Sequence, residues 1–459
     1  MNHFGSGKRH DVDMTEGSIF RGIVRFAFPL LIGNIFQQLY NMVDTWVVGN
    51  YVSNEAFSAV GTVGPIINML IGIFMGLASG AGVVISQYYG AKNEKKVSQT
   101  VHTSMAMTFL LAIVFTAVGI LMTPAMLHMM KTPEEVYPES KAYLTIYFSG
   151  MIGLMVYNMC AGVLRAVGDS RRPFYFLIFS ACLNIVLDLL FVLGFHMGVR
   201  GVAYATVASQ GVSAVLVMAV MLRTDSCIRL FPGRIRLHMD VLWKIIRVGI
   251  PAALQMAVTS FSNVFVQSYI NQFGTACMGG WTAYAKIDQL VMLPMQAISL
   301  GATTFIGQNL GAKKVDRAKA GVRTSLLMAV CTTVCISVFV MLLAPVLVRI
   351  FNQDPQVVTY GTLFLHILTP FYVLCCVNQI LAGALRGAGN SKAPMIIMLC
   401  SFVLFRQCYL YVMSHYISNT VIPIALGYPA GWLLCSALEA LYYHKVQFGR
   451  NDLIEERAA

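Results

Sequence analysis

Charged side chains are scarce in this chain: Asp, Glu, Lys and Arg make up 11% of its 459 residues, where a soluble domain carries roughly 25%. So little charge cannot cover a water-soluble fold. The 57% of hydrophobic residues gather instead into apolar runs of about 18 or more, the length a helix needs to cross a bilayer. Enzymatic constellations are missing too. There is no phosphate-binding Gly-Lys-Ser/Thr loop, no HExxH and no GxSxG with plausible partners, which argues against ATP hydrolysis and against an enzyme, and no cofactor is expected. The eleven cysteines do not repair this lack. Most lie inside apolar runs, where cysteine packs as a small hydrophobe. Cys331 and Cys335 share a helical face, but no His or acid nearby completes a metal set. The polar opening stretch has no short apolar core with a small-residue cleavage pattern, so the first span itself is expected to direct insertion.

What the chain has instead is a repeat at an offset of 221 residues. AGVLRAVGDSRRP at 161–173 returns as AGALRGAGNSKAP at 382–394. Gly80, Ala81, Ile85, Gln87, Gly90, Ala91 and Lys92 return as Gly301, Ala302, Ile306, Gln308, Gly311, Ala312 and Lys313. The period far exceeds the roughly 20–50 residues of a solenoid repeat, so the repeated unit is a whole lobe. Two such halves in a membrane protein are a transporter architecture.

Polar and Gly/Pro-rich breaks predict twelve spans, beginning near residues 24, 56, 100, 141, 174, 200, 243, 278, 321, 361, 394 and 417. With the N-terminus placed in the cytoplasm, 26 of the 32 basic residues fall in the tails and the even-numbered connections. That bias satisfies the positive-inside rule, puts both termini inside and accounts for the net charge of +12 without nucleic acid. The expected fold is an all-α integral membrane protein, its twelve transmembrane helices forming two pseudo-symmetric six-helix bundles. Residues 1–23 form a tail, 24–222 the N-lobe, 223–242 a linker near anionic headgroups, 243–440 the C-lobe and 441–459 a second tail. Six spans per half put the pseudo-two-fold axis along the membrane normal.

Ionisable groups inside spans are costly and mark function. Asn34, Gln37, Gln38, Asn41 and Asp44 recur at three- and four-residue steps, a polar stripe on one face of the first span. Asn184 and Asp188 project the same way from the fifth. At about 1.5 Å of rise per residue, Asp188 lies about 21 Å and Asp44 about 24–30 Å from the cytoplasmic side. Asn158 and Tyr143 on the fourth span and Thr206 on the sixth add oxygens. Such a set suits a hard cation such as Na⁺, while a desolvated carboxylate can instead take a proton. In the second half, Asp288 and Lys286 point to different faces. Asp288 is a candidate contact for a cationic substrate, and Lys286, Asn41, Tyr143 and Gln255 are candidates for the same cavity. Glu439 is expected to snorkel or to pair with Lys445, and Arg406 to act as a structural counter-charge.

FPLLIGNIFQQLYNMVDTWVVG at 28–49, the pair SQYYGAK and GQNLGAK, and the doubled LRxxGxSxxP together resemble the multidrug and toxic compound extrusion (MATE) family, and the resemblance spans essentially the whole chain. It implies two six-helix bundles facing across a cleft in a bacterial plasma membrane. It implies export of cationic or amphipathic compounds, such as organic cations and drugs, in antiport with H⁺ or Na⁺. Gln37, Asp44, Asn158, Asn184, Asp188 and Thr206 correspond to one branch's N-lobe cation site. The chain departs from the branch with C-lobe acids: its seventh span offers Gln255 and its tenth holds no Asp or Glu. A monomer is expected. The alternatives are a lipid-linked-precursor flippase of the same superfamily, an integral-membrane transferase, which would need acids or histidines clustered at one membrane face, and a channel, which would need charged rings or a carbonyl filter.

Overall fold

The computed structural model describes residues 13–52, 54–130, 132–446 and 453–454. Among them the regular structure is helical, with no strand. Eleven helices are long and apolar enough to cross a membrane, and a twelfth span is the pair Tyr137–Ser149 and Met151–Ala166, bent by 48°. The twelve expected spans are thus present, starting with Ile19–Tyr51, Asn54–Gly90 and Glu94–Met129. The bent pair is the fourth. Arg171–Leu189, extended by a wider turn at Leu190–Gly194, is the fifth and Gly198–Arg223 the sixth. The second half runs Met239–Ile270, Thr275–Gly311 and Val315–Phe351. It continues through Pro355–Gly387, Lys392–Ile417 and Val421–Lys445.

The repeat is visible as backbone geometry. Lys92 (φ 55°) and Lys313 (φ 57°) both sit in the left-handed region, as do Gly168 (φ 95°) and Gly389 (φ 85°). Each closes a helix by the same pair of bonds. Asn93 N–H donates to Tyr88 O at 3.0 Å and Lys92 N–H to Tyr89 O at 3.0 Å; Lys314 and Lys313 do the same with Asn309 and Leu310 at 2.8 and 2.9 Å. Asp169 and Asn390 likewise close back onto Leu164 and Leu385, both at 2.9 Å. These are six-to-one and five-to-two closures around a left-handed residue, the Schellman ending. A glycine takes that conformation without a Cβ clash, and each lysine takes it at a cost. Interior prolines repeat as well, Pro124 and Pro345 in the third and ninth spans.

The described residues form two compact units: one of residue 13 and those within 28–246, the other of 14–27 and those from 247 onward. The boundaries are offset from the sequence repeat, because each half lends its leading segment to the other unit. In the second unit, Met14 N–H donates to Gln308 Oε1 (3.3 Å), Asn309 Nδ2 donates to Met14 O (3.0 Å), and Lys314 Nζ donates to Thr15 O (2.9 Å). In the first unit, Phe231 N–H donates to His102 Nε2 (3.0 Å) and His238 N–H to Thr103 Oγ1 (3.2 Å). Lys96 pairs with Asp240 at 2.7 Å. The 223–242 stretch, expected as a linker, is therefore a folded segment held on the third span.

Within each unit small residues let helices approach closely. In the first, a Cβ on Gly153 would lie 3.1 Å from Gly211 Cα, bringing the fourth and sixth spans nearly into backbone contact. In the second, Thr303 Oγ1 donates to Gly383 O at 2.9 Å and Ser299 Oγ to Gln379 O at 2.7 Å, tying the eighth span to the tenth.

Candidate functional site

Asp188 is fully buried, and neither carboxylate oxygen has a hydrogen-bond partner. Asn184, one helical turn earlier, is 1% exposed, and both ends of its amide are likewise unpartnered. The two side chains share a face, as their spacing requires. Asp44 is half-buried with Oδ1 unpartnered. Its carboxyl interacts side chain to side chain with that of Asp188. Two carboxyl groups from different spans, the first and the fifth, thus stand together in an apolar helix bundle. Leaving so many buried oxygens unmade is expensive unless something occupies the space between them.

The wall of this site is aromatic. Tyr40, one turn before Asp44, lies in the electrostatic range of Asp44, Asp188 and Tyr147, with the Gln210 side chain beside it. Tyr143 is buried beside both acids, and its ring stacks on Tyr147 with centroids 6.3 Å apart. Tyr40, Tyr147 and Gln210 escaped the sequence reading. The signal was there: each lies four residues, one helical turn, from a residue already singled out (Asp44, Tyr143, Thr206).

The remaining expected ligands sit differently. Asn158 Nδ2 donates to Leu154 O at 2.8 Å and Thr206 Oγ1 to Val202 O at 3.0 Å, so both donors turn back onto their own helices. Their oxygens stay available as acceptors. Gln37 is half-buried two turns before Asp44, and Asn41 is exposed. The fifth span leaves the α-helical ladder immediately after this site, at Leu190–Gly194. Wide turns of this kind tend to occur at functional positions.

The second unit has a different polar interior. Asp288 takes a 3.4 Å contact from the Tyr284 hydroxyl and has Tyr372 as its other neighbour. Lys286 is exposed, and the two do not pair. Gln255 is buried, with Nε2 unpartnered. Arg406, 1% exposed, lies between the rings of Phe402 and Tyr428, each centroid 4.5 Å from its guanidinium, and donates to Ser262 Oγ at 3.2 Å. Its charge is met by ring faces, not by an acid. Glu439 corrects the expectation of a snorkelling side chain. It is fully buried, both oxygens are unpartnered, and Lys445 is exposed and unpaired with it. Its position places it inside the helix packing instead of on the lipid side. Among the described residues no cluster of three or more His, Cys, Asp or Glu is arranged to hold a metal ion. A cation at the first unit's site would rest on two carboxylates plus neutral oxygens.

The MatE family model matches residues 29–190 and again 251–412, well over half the chain and once per half. A probable multidrug resistance protein of Bacillus subtilis, YpnP, is 28% identical over 445 residues, which cover 97% of this chain and 99% of the relative. The probable multidrug resistance protein NorM of Thermotoga maritima is 27% identical, covering 93% and 92%. A MOP superfamily transporter of Pyrococcus furiosus superimposes with a TM-score of 0.89 at 23% identity, covering 96% of this chain and 98% of that one. The outward-facing structure of a multidrug resistance MATE family transporter superimposes with the same score at 22% identity. Two matched halves, twelve spans and a shared fold lead to one conclusion: the chain is a multi-pass membrane protein belonging to the MATE family of transporters.

Proposed function

We propose that this transporter is a secondary active multidrug exporter, expelling cationic or amphipathic compounds in antiport with H⁺ or Na⁺ taken up at Asp44 and Asp188. The carrying observation is the pair of adjacent carboxyl groups with unpartnered oxygens inside an apolar bundle. Two neighbouring carboxyl groups cannot both stay ionised there unless a cation sits between them; without one, a proton is held by the pair. Such a pair is a chargeable centre whose occupancy alters the electrostatics of the first and fifth spans. Asn184, Thr206, Asn158 and Gln37 supply neutral oxygens in the same unit, suited to Na⁺ as well as to a proton donor. Inward movement of one charge down the membrane potential supplies about 2.3 kcal/mol per 100 mV, which offsets the cost of expelling a cation. Coupling requires that the ion bind the inward- and outward-open states unequally.

The names of the relatives support multidrug substrates. The positive-inside bias supports a bacterial plasma membrane location with both termini in the cytoplasm. Asp288, with Gln255, Asn41, Tyr143 and Lys286 as further candidates, is assigned to substrate contact. A monomer suffices, since both halves are in one chain.

The test is efflux of a cationic dye from proteoliposomes under an imposed pH gradient or Na⁺ gradient, one at a time. Efflux driven by one of them is expected. Asp44→Asn and Asp188→Asn should abolish it while leaving a folded protein in the membrane. Undiminished gradient-driven efflux in both variants would remove the acid pair from the mechanism.

A further inference from the structure

Residues 231–238 and the first turns of the third span enclose a cleft of about 410 Å³, within the range of small-ligand sites. Lys95, Arg234, Arg236 and His238 line it together with Ser98 and Gln99, and no acid does. The acids nearest it in sequence are Glu94, next to Lys95, and Asp240; neither lines the cleft, and Asp240 is taken by Lys96 at 2.7 Å. Among the described residues neither Lys95, Arg234 nor Arg236 has an ion-pair partner.

The cleft is built, not a loose basic patch. His102 holds its floor by accepting from Phe231 N–H at 3.0 Å, with its other ring nitrogen 2.6 Å from Ser98 O. Thr103 accepts from His238 N–H. The Phe231 ring lies under the Arg234 guanidinium, 5.0 Å from centroid to carbon, which orients it. Arg236 Nε donates to His238 Nε2 at 3.4 Å. Partial burial, and after it the Arg236 charge, lower His238 from the ordinary histidine value against the opposing pull of Asp240. Gln99 adds a second kind of demand: its Oε1 is buried and has no donor.

The repeat supplies the control. The segment before the first span docks on the other unit in the corresponding way, through Met14 and Thr15. At the 221-residue offset, however, Lys95 becomes Asp316, Gln99 becomes Ala320, and Arg234, Arg236 and His238 become Asp13, Thr15 and Gly17. Docking the segment therefore does not need the cations. We propose that this cleft binds a phosphate ester whose alcohol part carries a free hydroxyl. Arg234, Arg236 and Lys95 hold the phosphate, and Gln99 accepts from the hydroxyl. Guanidinium and phosphate match in charge and geometry. The ligand is either the headgroup of a phosphatidylglycerol-type lipid or a soluble ester of the same chemistry such as glycerol phosphate.

The experiment uses the full-length protein in neutral detergent, reading native mass spectra and thermal unfolding. Phosphatidylglycerol, phosphatidylcholine and free glycerol 1-phosphate are titrated separately. Saturable binding of phosphatidylglycerol that R234Q/R236Q weakens roughly tenfold or more, and that K392Q/K445Q (two exposed lysines of the other unit) leaves unchanged, supports the site and assigns it to lipid. The same pattern with glycerol 1-phosphate, and no saturable phosphatidylglycerol binding, supports the site and assigns it to a soluble ligand. The proposal is overturned if phosphatidylcholine binds as tightly, if none of the three binds saturably, or if R234Q/R236Q behaves like K392Q/K445Q. Arg234 and Arg236 are exposed, so the variant should fold.

Discussion

The two halves of this transporter share their joints and differ in their interiors. The Schellman endings at Lys92 and Lys313 and at Gly168 and Gly389 superpose in kind and in hydrogen bonding. Yet the offset that carries Lys92 to Lys313 carries Asp188 to Tyr409, Asn184 to Phe405 and Asp44 to Phe265. The first half holds an unpartnered acid pair; the second holds Arg406 between two rings and a sealed Glu439. A duplicated scaffold has to keep the residues that end helices and let them approach, because any loss there is felt across the whole lobe. Its interior polar groups are free to diverge, provided each lobe keeps its packing.

The largest effect should come from the acids. Asp188→Asn or Asp44→Asn is expected to lower gradient-driven dye efflux at least a hundredfold, whereas Glu439→Gln should leave it within about twofold. Comparable losses from Glu439→Gln would mean that both halves carry coupling chemistry. Next, Asp288→Asn should raise the apparent KM for a cationic dye severalfold, as removal of a contact made equally in the ground state would, with gradient dependence retained. A KM unchanged within error would withdraw Asp288 from substrate contact.

Packing offers a sharper contrast between matched glycines. A Cβ at Gly162 would meet Ala78 O at an ordinary 3.7 Å, while one at Gly383 would lie 2.5 Å from Ser299 Oγ and 3.1 Å from Ser299 O. Gly387 is as close, 2.5 Å, but to the Thr303 backbone oxygen, which cannot swing away as a side chain can, and its counterpart in the first half is already Ala166. Overpacking of this kind costs about 1–3 kcal/mol. Thermal unfolding should show Gly387→Ala as the most destabilised, Gly383→Ala less so and Gly162→Ala near wild type. Equal shifts for Gly162→Ala and Gly383→Ala would erase the contrast. The smallest effect concerns the shared joints: Lys92→Gly and Lys313→Gly should each stabilise by up to about 1 kcal/mol through relief of the left-handed backbone. Opposite signs in the two would break the symmetry of the scaffold itself.

Much of this was legible in the chain. Span number follows from apolar length, and the halves follow from a repeat confined to caps and close contacts, which are local demands. Asp44, Asn184 and Asp188 stood out because a polar group inside an apolar run has few innocent explanations. Tyr40, Tyr147 and Gln210 did not, since aromatic and amide side chains at helical spacing are common in any bundle. Glu439 was misplaced because its distance from a helix end says nothing about whether that end is covered.

The sequence by itself determined the class of molecule, the doubling and the acids, because hydropathy, cap chemistry and helical periodicity act over a few residues or one span. Tertiary structure decided which acids meet, that the 231–238 stretch folds onto the third span, and that each half's leading segment packs with the other unit. Those outcomes depend on contacts between residues more than a hundred positions apart, as between Met14 and Asn309 or Lys96 and Asp240, and no local pattern encodes them.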